Sequence, residues 1–222
     1  MKYIIITKKI WDTKNFNKIG KKIFILNKID DIKIKKINPS IIFFIHWSKL
    51  IKESLFNKYL CIQFHSSNLP RGRGGSPIQN QILLNLNKTK LTAFKVSKNL
   101  DSGPICMKEN LSLKGTAIDI FRRMEKTSVQ MIKKMILKKN ISFIKQKGKP
   151  SYFKRRKEAD SEINFKNIFT ISKLYNFLRM LDAPEYPSAF TQLNKYKFSY
   201  NNVRMFKNKI SARVEIIKNE KK

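Results

Sequence analysis

Leu60-Cys61-Ile62-Gln63-Phe64-His65-Ser66-Ser67-Asn68-Leu69-Pro70-Arg71-Gly72-Arg73-Gly74-Gly75-Ser76-Pro77-Ile78-Gln79-Asn80 joins an apolar run, a histidine, a glycine-bearing loop and a proline-led helix start without interruption. Leu60 to Phe64 has the length and composition of a buried strand. The run from Ser76 to Asn85 reads as a helix after the Gly74-Gly75 turn, with Pro77 early in it, where its missing N–H costs nothing. In an open parallel sheet the carboxyl ends of the strands face the ligand crevice. His65 follows the strand and is therefore expected at that crevice, where a titratable ring can move protons.

Outward from this stretch the first half keeps the same alternation. Ile4-Ile5-Ile6, Ile23 to Leu26 and Ile41 to Ile45 are further strands, separated by helix-like segments Asp30 to Ile37 and Lys49 to Lys58. Asn38-Pro39 closes the first of these helices. Leu91 to Val96 reads as a strand, and Ile105-Cys106-Met107 as a short one after Gly103-Pro104. Between Thr116 and Lys138, Ile118, Phe121, Met124, Val129, Ile132, Met135 and Ile136 recur near a helical period and predict one long amphipathic helix. Strands alternating with helices predict an α/β fold, a doubly wound and mostly parallel sheet of Rossmann-like type. Gly148 to Glu158 is charged and turn-rich and is expected to be a boundary or long loop. Beyond it, a helix from Ile171 to Leu181 and one or two antiparallel hairpins between Ala189 and Ile217 form a small α+β extension. The expected division is a catalytic domain at 1–150 and the extension at 151–222.

Composition narrows the function classes. The chain has 222 residues, 41% of them hydrophobic, with seven Gly and seven Pro, which is enough apolar matter for one core and argues against wholesale disorder. No run reaches the roughly 18 apolar residues of a membrane helix, so the chain reads as soluble, cytoplasmic and without a membrane partner. Two cysteines, Cys61 and Cys106, sit in apolar runs. They read as buried free thiols, and neither a disulfide framework nor a cysteine-based metal site is available. Lys and Arg number 48 against 15 Asp and Glu, a formal charge of +33. That excess permits a polyanionic partner, but the lysines are scattered and accompany abundant Ile, Asn and Phe, the residues of A/T-rich codons.

Downstream, Asp101-Ser102-Gly103 places a carboxylate on the loop after the next strand, where it is either a turn residue or the group that orients His65 and stabilises its charged form. Taken together, these pieces resemble the formyltransferase family that draws its one-carbon unit from 10-formyltetrahydrofolate. That family's pattern is Asn-x-His-x-Ser-x-Leu-Pro, a glycine-bearing loop, Pro-x-Gln and a downstream Asp-x-Gly. This chain offers Gln63-Phe64-His65-Ser66-Ser67-Asn68-Leu69-Pro70, the loop through Pro77-Ile78-Gln79, and Asp101-Ser102-Gly103. The resemblance spans about residues 41 to 125.

The resemblance implies transfer of a formyl group to a primary amine, with His65 as base, Asp101 holding its ring, and Gln63 in the place of the family's oxyanion-binding Asn. No metal is implied. Gln keeps the amide but is one methylene longer, which leaves open a catalytically weakened, polyanion-binding homologue. The family's pterin position corresponds to His46, Trp47, Ser48 and Leu50 after the third strand and to Lys95 and Val96. Trp47 either stacks on a ring or packs, and His46 either serves there or is structural. The loop residues Arg71, Gly72, Arg73, Gly74, Gly75 and Ser76, with Gln79, are expected to bind the acceptor. The loop has room for a phosphate to approach, and guanidinium forks suit phosphate oxygens, so Arg71 and Arg73 are either a phosphate grip or solvated loop charge. Lys154-Arg155-Arg156-Lys157 is a second candidate grip on a nucleotide diphosphate or tRNA backbone. The loop most resembles that of short proteins acting on amine-bearing nucleotide sugars. A tRNA-borne amine is the alternative, disfavoured by an extension of about 70 residues. An apolar C-terminal hairpin also permits a homodimer contact.

Overall fold

The computed structural model describes all residues except 9, 11, 12, 17, 18, 21, 139, 169, 185 and 219–222, and omits the side chains of 13 and 14. Its centre is a six-stranded sheet in the order β2-β1-β3-β4-β6-β7, formed by β1 (Tyr3–Thr7), β2 (Ile23–Leu26), β3 (Ile41–Ile45), β4 (Leu60–His65), β6 (Lys88–Lys95) and β7 (Ile105–Ser112). The first four strands pair in parallel, whereas β4–β6 and β6–β7 are antiparallel.

Alternation along each strand sorts side chains between two cores. Tyr3, Ile5, Phe43, Ile62 and Phe64 face one cluster, with α1 (Thr13–Phe16), α4 (Pro77–Leu83), α5 (Ala117–Leu137) and α6 (Ile171–Arg179) supplying its helical side. Ile4, Ile6, Ile42, Phe44 and Cys61 face the other, covered by Ile34 of α2 (Asp31–Ile37) and Leu55 of α3 (Glu53–Lys58). Helices thus cover both faces, as expected of a doubly wound α/β sheet. Nearly continuous apolar strands are what burial on two faces requires.

The helices begin and end for local reasons. Asp30 caps α2 by accepting from the Lys33 N–H, and Asn38 closes it in a left-handed conformation. Thr116 and Asp119 form a reciprocal capping box at the start of α5. Three expectations need correction. α3 starts only at Glu53, because Ile51 is buried in the second core while Leu50 stays exposed. β7 is much longer than Ile105-Cys106-Met107. Its polar stretch Lys108-Glu109-Asn110 is tolerated because β7 is an edge strand of the sheet. The segment after Gly148 is no free loop, since β8 (Tyr152–Phe153) pairs in parallel with β5 (Arg73–Gly74).

After residue 157 the chain adds α6 and a three-stranded antiparallel sheet, β9 (Ala189–Leu193), β10 (Tyr196–Phe206) and β11 (Lys209–Lys218). Its Leu178, Met180, Leu181, Ala189 and Val203 join the first core. Polar bonds fasten the junction. The Arg179 guanidinium donates to the Leu113 and Gly115 carbonyls, both at 2.7 Å, and the Asp182 carboxylate accepts from the Asn202 and Val203 N–H groups at a bulge in β10. No helix among the described residues is long and apolar enough to cross a membrane.

Candidate active site

Residues distant in sequence meet at the carboxyl end of β4. His65 is its last residue, 6% exposed, and Asp101, 7% exposed, sits in the left-handed region at φ 48° in the turn between β6 and β7. Asp and Asn are the side chains that tolerate this conformation best. The His65 Nδ1 lies 3.6 Å from the Asp101 Oδ2. The other ring nitrogen, Nε2, is 2.7 Å from the Gly72 carbonyl. A carbonyl only accepts, so Nε2 carries a proton there, and Nδ1 is the nitrogen free to take one up. The same Asp101 Oδ2 accepts from the Gly74 N–H at 2.8 Å, so the glycine loop holds the carboxylate and the imidazole alike.

These groups open on a cleft of about 720 Å³, within the range that takes a cofactor-sized molecule. His46, Trp47, Ser48, Leu50, Gln63, His65, Gly74, Ser76, Gln79, Val96 and Asp101 line it, with apolar walls from Ile51, Phe94, Phe121 and Met124. The Gln63 amide donates to the Trp47 carbonyl over a long 3.4 Å. The Trp47 Nε1 is buried without a hydrogen-bond partner among the described residues, and its ring packs 5.8 Å from that of Phe44.

His46, also left-handed at φ 50°, stands edge-on to Phe121 with ring centroids 5.9 Å apart. Burial lowers its pKa from 6.5 to about 4. The unfolded chain takes up this proton around 6.5, so the stability that comes from keeping the ring neutral is complete above that pH. It is lost as pH falls through about 4, and amounts to about 3 kcal/mol in all. His46→Asn, whose side chain accepts the left-handed backbone, is expected to shrink the drop in urea midpoint between pH 7 and pH 4.5. Burial also pushes both the Cys61 and Cys106 thiols up to about 12, which makes them poor nucleophiles.

Other expected site residues lie elsewhere. Lys95 is exposed and off the cleft wall; its carbonyl instead lies so close to Gly103 that a Cβ there would come within 1.7 Å of it. Arg71 is exposed. The Arg73 guanidinium turns to Gln146 and to the Tyr152 ring. The room read into the glycine loop is filled by this chain itself. A Cβ on Gly72 would meet the Phe153 ring at 2.5 Å, one on Gly74 the Phe153 carbonyl at 2.5 Å, and one on Gly75 the Arg155 Cβ at 2.4 Å. Gln79 reaches the cleft but donates to the Met180 carbonyl. Within the basic cluster, Arg155 borders the cleft and bonds the Ser48 carbonyl at 3.2 Å, whereas Arg156 bonds the Asp160 carbonyl and covers the Phe177 ring. Sequence reasoning missed Ser151, whose hydroxyl accepts from the Gly72 N–H at 2.9 Å; a serine in a turn-rich segment carries no signal of such a partner. Among the described residues no group of three or more His, Cys, Asp and Glu side chains is placed to hold a metal ion.

An open α/β sheet thus delivers a buried imidazole and a buried carboxylate to one cleft, an arrangement that can move protons. Residues 25–136 match the family model described as formyl transferase, and residues 158–217 match the one described as methionyl-tRNA formyltransferase, C-terminal domain. The chain belongs to the formyltransferase family. It is 39% identical to a solved methionyl-tRNA formyltransferase from Clostridium thermocellum, covering 99% of this chain and 100% of that one with a TM-score of 0.91. A 4-N formyltransferase from Francisella tularensis, 18% identical over 99% of this chain and 98% of that one, shares the fold with a TM-score of 0.69. The bifunctional polymyxin resistance protein ArnA of Wigglesworthia glossinidia brevipalpis is 29% identical over 85% of this chain. The chain spans 30% of that relative's length and 33% to 62% of several curated methionyl-tRNA formyltransferases.

Proposed function

We propose that this chain transfers a formyl group from 10-formyltetrahydrofolate to a primary amine carried on a nucleotide-bearing acceptor, and that this amine is the aminoacyl end of a tRNA. The pairing of His65 with Asp101 at the cleft carries the catalytic part of the reading. An amine is protonated near neutral pH and must lose a proton to attack a carbonyl carbon, so a base beside it is a chemical requirement. The neutral amine forms a C–N bond to the formyl carbon and the formyl oxygen becomes an oxyanion. The His65 Nδ1 takes the amine proton, and the Asp101 carboxylate stabilises the imidazolium. As the bond from formyl carbon to the donor nitrogen breaks, the proton passes to that nitrogen. Gln63 lines the cleft with its amide bonded to the Trp47 carbonyl; on this reading its remaining N–H serves the oxyanion, and a donor aimed there is worth about 10²- to 10³-fold. Trp47 and the apolar wall of Ile51, Phe94 and Val96 suit a flat heterocycle.

The tRNA acceptor is supported by the likeness of both halves of the chain to methionyl-tRNA formyltransferases and by the +33 charge. A second reading, an amino sugar on a nucleotide, is favoured by the fold shared along nearly the whole of both chains with the Francisella 4-N formyltransferase. Incubation with the formyl donor and a panel containing methionyl-tRNA and amino-sugar nucleotides, read by mass spectrometry, separates the two. Methionyl-tRNA is expected to gain one formyl group. Formylation of a sugar nucleotide alone would replace the first acceptor by the second, and no formylation of either would sink the transferase reading.

A further inference from the structure

Gln146 lies outside both matched family segments, yet its side-chain amide joins the two loops that make the site. Its Nε2 donates to the Asp101 carbonyl and to the Gly103 carbonyl, each at 2.8 Å. Its Oε1 accepts from the Arg73 guanidinium at 2.7 Å. Asp101 supplies the carboxylate facing the His65 Nδ1, and Arg73 lies between Gly72, whose carbonyl holds the His65 Nε2, and Gly74, whose N–H holds the Asp101 carboxylate. Five residues further on, Ser151 accepts from the Gly72 N–H, and its own backbone carbonyl accepts from the Arg73 N–H at 2.9 Å. Phe153 continues the clamp by accepting from the Gly75 N–H at 3.0 Å. One short segment therefore grips the loop behind the imidazole and the loop behind the carboxylate.

We infer that Gln146 is a positioning residue for formyl transfer, holding the Asp101 turn against the Arg73 loop so that the carboxylate and the His65 ring keep their spacing. The inference rests on the transferase reading for its kinetic part only. Only an amide satisfies both sides at once: its N–H₂ serves two carbonyls and its oxygen serves a guanidinium. Gln146→Glu keeps the size and the Arg73 partner but sets a carboxylate oxygen against the carbonyls of Asp101 and Gly103, so it separates the tie to Asp101 from the tie to Arg73. Gln146→Ala removes both.

The chain has only two histidines, which makes the nitrogen-15 spectrum of its imidazoles directly readable, with His46 as an internal reference for the intact cleft. In both variants the His65 ring signals are expected to move while those of His46 stay in place. The kcat for tetrahydrofolate release is expected to fall about 10- to 100-fold with the KM for the formyl donor little changed, since misplacement by about 1 Å can cost 10²-fold. His65 signals superimposable on those of the unmodified protein in Gln146→Glu, or a kcat unchanged in that variant, would overturn the inference. Absence of transfer by the unmodified protein would remove the transferase reading instead, and the ring signals alone would then decide whether Gln146 positions His65.

Discussion

His65→Ala is expected to lower formyl transfer by about 10²- to 10⁴-fold, the range that a positioned general base contributes. The ring is buried, bonded through Nε2 to the Gly72 carbonyl and faced by the Asp101 carboxylate. Asp101 is the nearest group with basic oxygens, and one of them already accepts from the Gly74 N–H. The substitution also leaves the Gly72 carbonyl without its ring partner, a loss of about 1 kcal/mol or slightly more. Thermal unfolding of the variant therefore has to accompany the kinetics. A variant that melts near the unmodified protein and still transfers formyl groups within tenfold of its rate would show that another group is the base.

The second large effect is expected at Asp101. Asp101→Asn preserves size and tolerates the left-handed backbone at φ 48°, so the turn persists while the charge is lost. An amide can still accept from the Gly74 N–H through its oxygen, but it no longer balances an imidazolium. A carboxylate-to-amide exchange beside a catalytic histidine can cost up to about 10⁴-fold, and a fall of at least about 10²-fold in kcat is expected here, with KM for the formyl donor little affected. Measuring kcat and KM separately gives the check. A rise in KM alone would place Asp101 among groups that bind the donor, and His65 would then act without it.

Much of the architecture is legible in local pattern. Ile41 to Ile45 and Leu60 to Phe64 are too short and too apolar to be anything but buried strands between amphipathic segments, and each lies in the sheet. The long helix follows from its apolar period alone, and the structure adds the Thr116–Asp119 cap. His65 is legible at the crevice because it follows a strand of a parallel sheet. β7 escaped because its Lys108-Glu109-Asn110 stretch breaks the apolar run, and an edge strand needs no such run.

The glycine loop marks where local reading stops. Gly72, Gly74 and Gly75 do indicate a close approach, but the sequence does not say what approaches. The partner is Phe153 and Arg155 of the same chain, brought there by the pairing of β8 with β5. The same contact directs the Arg73 side chain to Gln146 and away from the cleft.

Local periodicity and glycine placement depend on residues a few positions apart, and so most of the chain's strands and helices and the histidine at the strand end follow from the sequence alone, whereas the length of β7 and the pairing of β8 with β5 do not. The meeting of the His65 Nδ1 with the Asp101 carboxylate, and the clamp of Gln146 and Ser151 behind them, were decided only by the packing of the sheet and its loops. Such contacts depend on how distant segments fill one another's space, and no short window of sequence encodes the neighbour that burial will supply.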